Sequence, residues 1–210
     1  MAKQSSLKQH IYNEIVDQVF KGDIIVDDVI TESSIIERFG VSKSPVREAL
    51  VELCKEGVLE SIPRFGYKLK RYDLEYFQDI TFYRSVIEPS FLEKYWDRIT
   101  DENIQDLIAL HEKHLREISP SDAMGYWKSN QEFHLKLASF YHSEFMYDAL
   151  FASLQKQRIL FSQRYWTSWD KTKFVGYTNQ HTEFLDALKI RDKHEALKLL
   201  RADILSFALR

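Results

Sequence analysis

The stretch VSKSPVREALVELCKEG, residues 41 to 57, constrains the fold of this chain more than any other. Val46, Ala49, Leu50 and Leu53 fall at i, i+3, i+4 and i+7, so one face of a helix is apolar. Ser44 is the expected N-cap. Pro45 then takes the first helical position, where the amide hydrogen it lacks would have had no partner. Gly57 supplies a left-handed stop. A shorter helix precedes it, capped by Thr31 and running to about Phe39, with Ile35, Ile36 and Phe39 on its apolar side and Gly40 as separator. Two helices joined by a tight, glycine-containing turn make a helix-turn-helix. After Gly57 the hydrophobic period falls to two: residues 58–62 and 67–70 read as strands around the turn Pro63-Arg64-Phe65-Gly66. The whole reads as a winged helix-turn-helix.

The charges say how such a unit would meet DNA. Lys43 and Arg47 sit at the N-terminal tip of the second helix, with Arg38 close by in sequence, while Glu48, Glu52 and Glu56 form an acidic stripe further along. That stripe forbids laying the helix lengthwise on phosphates but leaves its tip, with free amides and the positive dipole end, fit to enter a groove. Arg64, Lys68, Lys70 and Arg71 add a basic run on the hairpin. The competing reading is a structural helix pair of mixed surface charge. The first 70 residues carry 10 Lys and Arg against 11 Asp and Glu, so affinity must come from local patches, and a single module is expected to bind weakly.

Residues 6–20 space Leu7, Ile11, Ile15 and Val19 four apart and complete a three-helix core, ending at Lys21-Gly22; residues 23–30 read as an extended connector. A short linker, Arg71 to Asp73, leads into a half that reads as helix almost to its end, over about 73–98, 101–118, 121–141, 143–166, 174–190 and 193–209, with a loop at 167–173. Thr100, Ser121 and Asp192 are the expected caps, and Pro89 is expected to kink the first of these helices. Six Gly and four Pro in 210 residues suit this mostly helical reading. The expected fold is therefore mainly α: a winged helix-turn-helix domain over 1–71 and an all-helical bundle over 72–210. The lone Cys54 forms no internal disulfide and reads as a small, half-buried hydrophobe. No signal peptide and no membrane-length apolar run is evident, so a cytoplasmic protein with no membrane partner is expected.

VSKSPVREAL resembles the VSRTPVREAL signature of the GntR family of bacterial transcription regulators, and the following LxxEGxLE pattern and the FGY of the wing resemble the same family. The resemblance implies DNA contacts from Ser42, Lys43, Ser44 and Arg47, with Arg64 and Gly66 at the wing. Lys43 stands where the family usually has Arg, and lysine lacks the bidentate grip on guanine. The helical half resembles the FCD effector-binding domain of the FadR-like branch. Arg84 with Glu88-Pro89, Asn130 with His134, and His181 followed by Leu185, Ala187 and Leu188 fit its motifs, and Asp203 takes the place of its last histidine. The resemblance implies control by a small organic acid that Arg84 grips; Tyr83, Asn130, His134 and His181 are further candidates for the effector site, and because a single module is expected to bind weakly, a homodimer on a two-fold-related operator is expected.

Asn130 and His134, four apart, share a helix face, and His181 and Asp203 lie one each on the last two helices. Four N and O donors meeting in a bundle suit a divalent metal such as Zn, Ni or Mn; the alternative is that they hydrogen-bond in a metal-free pocket. Arg84 is either paired with Glu88 or left for an anion. Tyr83, Tyr126, Trp127, Phe133, Phe161, Tyr165 and Trp166 are candidates for an apolar pocket, though aromatics at such spacing usually build the core. His111 and His114 read as surface residues, His142 and His194 as solvated or capping ones, and His10 as solvated. The expected function is a ligand-responsive transcription regulator. A metal-dependent enzyme using the bundle site is one competitor, although no dedicated acid–base residue stands beside the donors. A non-specific DNA-organising protein is the other.

Overall fold

The computed structural model describes residues 6–25, 27–119, 122–165 and 171–206, with backbone alone for 20, 123, 124, 161–165 and 171–179. The described helices are α1 (Leu7–Lys21), α2 (Glu32–Phe39), α3 (Lys43–Lys55), α4 (Leu74–Lys94), α5 (Asp101–Glu117), α6 (Ala123–Ser139), α7 (Glu144–Tyr165), α8 (Lys171–Lys189) and α9 (Lys193–Ser206), and the strands are β1 (Leu59–Ile62) and β2 (Gly66–Leu69). The fold is a winged helix-turn-helix followed by a helical bundle. Two compact units divide at Tyr72 and Asp73, and α7 belongs to the second as far as Arg158.

In the first unit, Ile11, Ile15, Ile35, Val46, Ala49, Leu50, Leu53, Leu59 and Leu69 form the buried core. Each fully buried aliphatic side chain contributes about 1.5–3 kcal/mol, which is how so small a unit holds its shape. Thr31 and Ser34 cap α2 reciprocally. The α3 start differs from expectation. The helix begins at Lys43 with Ser42 as N-cap, so Pro45 is its third residue. A proline is tolerated there because the first turn's amides have no intrahelical partner in any case. The end is as expected. Val58 N donates to Leu53 O at 2.9 Å and Gly57 N to Cys54 O at 3.1 Å, with Gly57 at φ 77°: a Schellman stop. A Cβ on Gly57 would lie 2.3 Å from the Tyr72 hydroxyl, which donates to Gly57 O at 2.8 Å and ties the start of the linker to the end of α3. The strands pair antiparallel from Leu59 opposite Leu69 to Ile62 opposite Gly66. Ile30, at the end of the expected extended connector, bridges to Tyr67 through two backbone bonds of 2.7 and 2.8 Å.

The second unit packs α4–α9 around Leu92, Leu107, Phe133, Leu137, Leu154, Phe184, Leu188, Leu200 and Ile204. Thr100 caps α5. Asp122 caps α6 in the place expected of Ser121, which lies outside the described residues. The α8 helix starts at Lys171, inside the expected loop, whose first residues also fall outside the described ones. Helix α4 runs through Pro89. The carbonyl of Ser85, which loses its amide partner there, accepts from Arg201 Nε on α9 at 3.1 Å. No helix among the described residues is long and apolar enough to cross a membrane.

Candidate functional site

Two sets of polar residues stand apart from the packing. The first is the tip of α3 and the wing. Ser42, Lys43, Ser44 and Arg47 are exposed, and Ser42 makes no side-chain capping bond, so its hydroxyl and the first amides of α3 stay available to a ligand. Lys43 pairs with Glu32 at 3.1 Å, Ser44 Oγ donates to Glu48 at 2.9 Å, and Arg38 donates to Gln18 Oε1 at 2.6 Å. Neither Arg47 nor Arg64 has an acidic partner among the described residues. One groove is lined in part by Thr31, Ser33, Lys43, Ser61, Arg64 and Phe65, so helix tip and wing open on the same side. Two members of the acidic stripe are bound by α1: Glu52 meets Lys8 at 2.6 Å and Glu56 accepts from the Tyr12 hydroxyl. Gly66 earns its place sterically, since a Cβ there would lie 2.4 Å from the Ile30 carbonyl oxygen.

The second set is buried in the bundle. Arg84 is fully buried; its Nε donates to Glu88 Oε1 at 2.7 Å and its Nη1 to Gln157 Oε1 at 2.6 Å. Gln157 Nε2 donates in turn to Thr81 Oγ1 at 2.9 Å. The other carboxylate oxygen of Glu88 lies 2.7 Å from His134 Nδ1, and an ionised carboxylate only accepts, so Nδ1 carries the hydrogen. His134 Nε2 then faces Asp203 Oδ2 at 3.0 Å, and His181 Nε2 lies 3.6 Å from the same oxygen and 3.4 Å from the Asn130 amide nitrogen. Asn130 Oδ1, His134 Nε2 and both Asp203 carboxylate oxygens are buried without a hydrogen bond.

The electrostatics follow from this crowding. Burial pushes the Glu88 carboxyl up, but the charges of Arg84 and His134 and the hydrogen bonds from both outweigh it and leave its pKa below the usual range. Asp203 behaves alike: burial opposes ionisation, yet the His181 charge and the close approach of both histidine rings hold it well below the ordinary carboxylate value. For His134, burial lowers the pKa, Glu88 raises it, Arg84 lowers it and the Asp203 contact raises it; the net is upward. His111 is pushed down to about 4, first by burial and then by the charges of His181 and His114.

A lone pair on His134 Nε2 aimed at a carboxylate oxygen 3.0 Å away is repulsive unless a cation lies between them. Either a proton or a metal ion satisfies that demand. Zn–N and Zn–O bonds of about 2.1 Å at right or tetrahedral angles place donor atoms about 3.0–3.4 Å apart, close to the spacings found. His134, His181 and Asp203 offer donor atoms all within 4.8 Å of one another. Turning the Asn130 amide, whose O and N are assigned from the network alone, brings a fourth oxygen inward. Glu88 on His134 Nδ1 is the outer carboxylate such a ligand needs. The residues therefore fit a divalent ion.

Residues 7–69 match the gntR family of bacterial regulatory proteins and residues 79–205 match the FCD domain family. The chain is a GntR-family transcription regulator with an FCD domain. It is 28% identical over 144 residues to the HTH-type transcriptional regulator YdhC of Bacillus subtilis, a match covering 66% of this chain and 62% of that one; the chain thus spans less than two thirds of that relative. It is 25% identical over 177 residues to the Nta operon transcriptional regulator of Aminobacter aminovorans, covering 83% and 80% of the two chains. Among solved structures, E. coli McbR/YncC superposes with a TM-score of 0.80 at 18% identity over 97% of this chain and 96% of its own, a likeness of fold.

Within this GntR-family chain the structure brings together Asn130, His134, His181 and Asp203, with Arg84 one residue behind them through Glu88. Tyr83 is not brought there. Arg84 and Glu88 point inward from α4, and Tyr83, about 100° round the helix from Arg84, is exposed in a groove with Tyr76, Asp79 and Lys156. Tyr126, Trp127 and Phe133 are core, and Phe133 stacks on the His181 ring at 3.9 Å. The side chains of Phe161, Tyr165 and Trp166 lie outside the described residues. His111 and His114 are not surface residues. His111 meets Thr182 at 3.1 Å, and His114 meets Glu132 at 3.0 Å. Both line a cavity with Tyr126, Ser129 and His181 whose volume of about 10 Å³ holds about one water. Sequence reasoning missed Glu88 as the support of His134, and also Gln157: the i,i+4 spacing pointed only to the pairing of Glu88 with Arg84, and nothing local pointed to His134 or Gln157.

Proposed function

We propose that this regulator binds a two-fold-related operator as a homodimer, with residues 1–71 reading DNA and residues 72–210 providing dimerisation and a small-molecule sensor. Ser42, Lys43, Ser44 and Arg47 take the base edges and phosphates, Arg64 and Gly66 serve at the wing, and Arg38 supports them. Asn130, His134, His181 and Asp203 hold a divalent ion, and an organic acid completes its coordination. Such a regulator works in the cytoplasm, where its operator is. The observation that carries the sensor reading is the His134 Nε2 lone pair facing Asp203 at 3.0 Å among four buried polar atoms without hydrogen bonds.

Arg84 keeps a narrower part than the resemblance implied. Its Nε and Nη1 are committed to Glu88 and Gln157, and its Nη2 alone, buried and without a hydrogen bond, remains for a carboxylate. Because the cavity beside His181 admits about one water, an effector must part the helices to enter. Coupling of such a movement to DNA affinity is typically worth about 1–3 kcal/mol and is reciprocal, so operator DNA changes effector affinity by the same factor. Calorimetry of the full chain with Zn, Ni and Mn, and then with a library of small carboxylates with and without metal, tests this. The reading expects metal binding that His181→Ala and Asp203→Ala abolish and carboxylate binding that requires the metal. Metal binding unchanged in both variants would overturn it.

A further inference from the structure

Phe65 is the one large apolar side chain at the wing tip, and 71% of it is exposed to water. It is presented rather than left loose. Arg64 before it has φ 71° and Gly66 after it φ 132°, and Phe65 N donates to Ile62 O at 3.0 Å, closing the turn. The hairpin base is held by the four-pair register of β1 and β2 and by the two Ile30–Tyr67 bonds. Arg64 beside it has no acidic partner among the described residues, and Lys43 lines the same groove, paired there with Glu32 at 3.1 Å. Thus a ring largely exposed to water adjoins Arg64 in sequence and lines the groove on which the tip of α3 opens.

We propose that Phe65 is a wedge for the minor groove of the operator, entering a base step and partly unstacking it while Arg64 holds the flanking phosphates. An inserted apolar side chain kinks the duplex, and the steps that yield most readily are pyrimidine–purine ones, TA and CA/TG. The inference rests on the DNA-reading function proposed above and adds to it an operator class. Each half-site carries a TA or CA/TG step at a fixed offset from the bases that α3 reads, and the bound operator is bent. The specificity at that step comes from deformability, without a hydrogen bond to either base.

The test uses the full chain and duplexes that the wild type selects from a random-sequence pool. The proposal expects a pyrimidine–purine step at one fixed offset in the selected half-sites. 2-Aminopurine placed at that step should brighten on binding, and end-labelled duplexes should show bending by energy transfer. Phe65→Ala should lose the preference at that step, the brightening and the bend. Its affinity for the selected duplex should fall roughly five- to a hundredfold, the range for losing one ring stacked on a base, with an unchanged slope of log affinity against log salt. Phe65→Leu should keep part of all three. Selected sites with no such step, or a Phe65→Ala protein that reads and bends them like the wild type, would overturn the wedge and leave DNA reading intact. A wild type that selects nothing overturns both. A Phe65→Ala protein altered in sedimentation but not in DNA reading places the ring at a protein contact and also overturns the wedge.

Discussion

The tip of α3 and the donor cluster of the bundle are both polar, but they are built on opposite terms. At the tip, Ser42, Lys43, Ser44 and Arg47 are exposed neighbours in sequence, and their partners are exchangeable: Lys43 holds Glu32 across 3.1 Å with 68% of its side chain in water. A surface pair of that kind is worth about 0–1 kcal/mol and is readily given up to phosphate. In the cluster, Arg84, Glu88, His134 and Asp203 are almost wholly buried, come from three helices, and each is held by a second group. The difference teaches where strength resides. The tip is held in place by the apolar face of α3 behind it, so its polar atoms are free for a ligand. The cluster's polar atoms are themselves part of what holds the bundle.

Removing Glu88 probes this contrast most severely. Glu88→Leu leaves the Arg84 guanidinium buried with only Gln157 as partner and frees His134 Nδ1. Breaking one side of a buried ion pair costs about 3–5 kcal/mol. The second unit should lose about that much in chemical denaturation. A loss under 1 kcal/mol would mean that the buried pairs act like the surface ones and that the contrast is false. The double variant Arg84→Leu, Glu88→Leu should recover much of the loss, because no buried charge then stands alone.

The cation between His134 and Asp203 sharpens the same contrast through pH. The raised His134 pKa means that, without metal, its contribution to stability is complete below the unfolded value of about 6.5 and is lost as pH rises through the folded value. The lowered Glu88 and Asp203 values act oppositely: their contribution is present above about pH 4.3 and is lost on acidification. His111, pushed down to about 4, favours the folded state above its unfolded value of about 6.5 and loses that contribution as pH falls towards 4, so the metal-free protein should be most stable near pH 6.5, where the three sets of groups balance. A metal ion replaces the proton, so its affinity should rise with pH. At a hundredfold excess over Kd it should add about 2.7 kcal/mol, with a larger gain in melting temperature at pH 8 than at pH 6 at one fixed metal concentration. An equal gain at both would show that no proton is displaced at His134.

How much of this was legible follows from the same division. The α3 tip was readable because its residues adjoin one another and sit on a helix whose apolar face is explicit in Val46, Ala49, Leu50 and Leu53. Only the cap was misplaced, by two residues: Ser42 and Ser44 are both serines, and Pro45 is tolerated one or three residues into a helix. Ile30 was missed because a single bridge leaves no periodicity to read. In the bundle, the donor set was suggested by resemblance. Its support was not legible, because Glu88 reaches His134 across 46 positions and Gln157 reaches Arg84 across 73. The burial of His111 and His114, by contrast, was open to reading: they follow Ile104 and Leu107 at i+7 and i+10 on the inward face of the amphipathic α5.

The smallest of these effects belongs to Arg47, and it tests the exchangeable side of the contrast. Arg47 is exposed on the second turn of α3 and has no acidic partner among the described residues, so Arg47→Ala breaks nothing inside the protein. Its stability should stay within about 0.5 kcal/mol of wild type. If the guanidinium reads a base edge, specific binding should weaken by about 1–3 kcal/mol and the preference at one operator position should relax. A role limited to phosphate would instead weaken all sequences alike and lower the salt slope by about one. Lys43→Ala makes the companion measurement. Lys43 must release Glu32 before it can meet DNA, so its removal should cost less than that of Arg47. If Lys43→Ala costs more, the Glu32 pair does not restrain it, and the lysine rather than Arg47 leads at the tip.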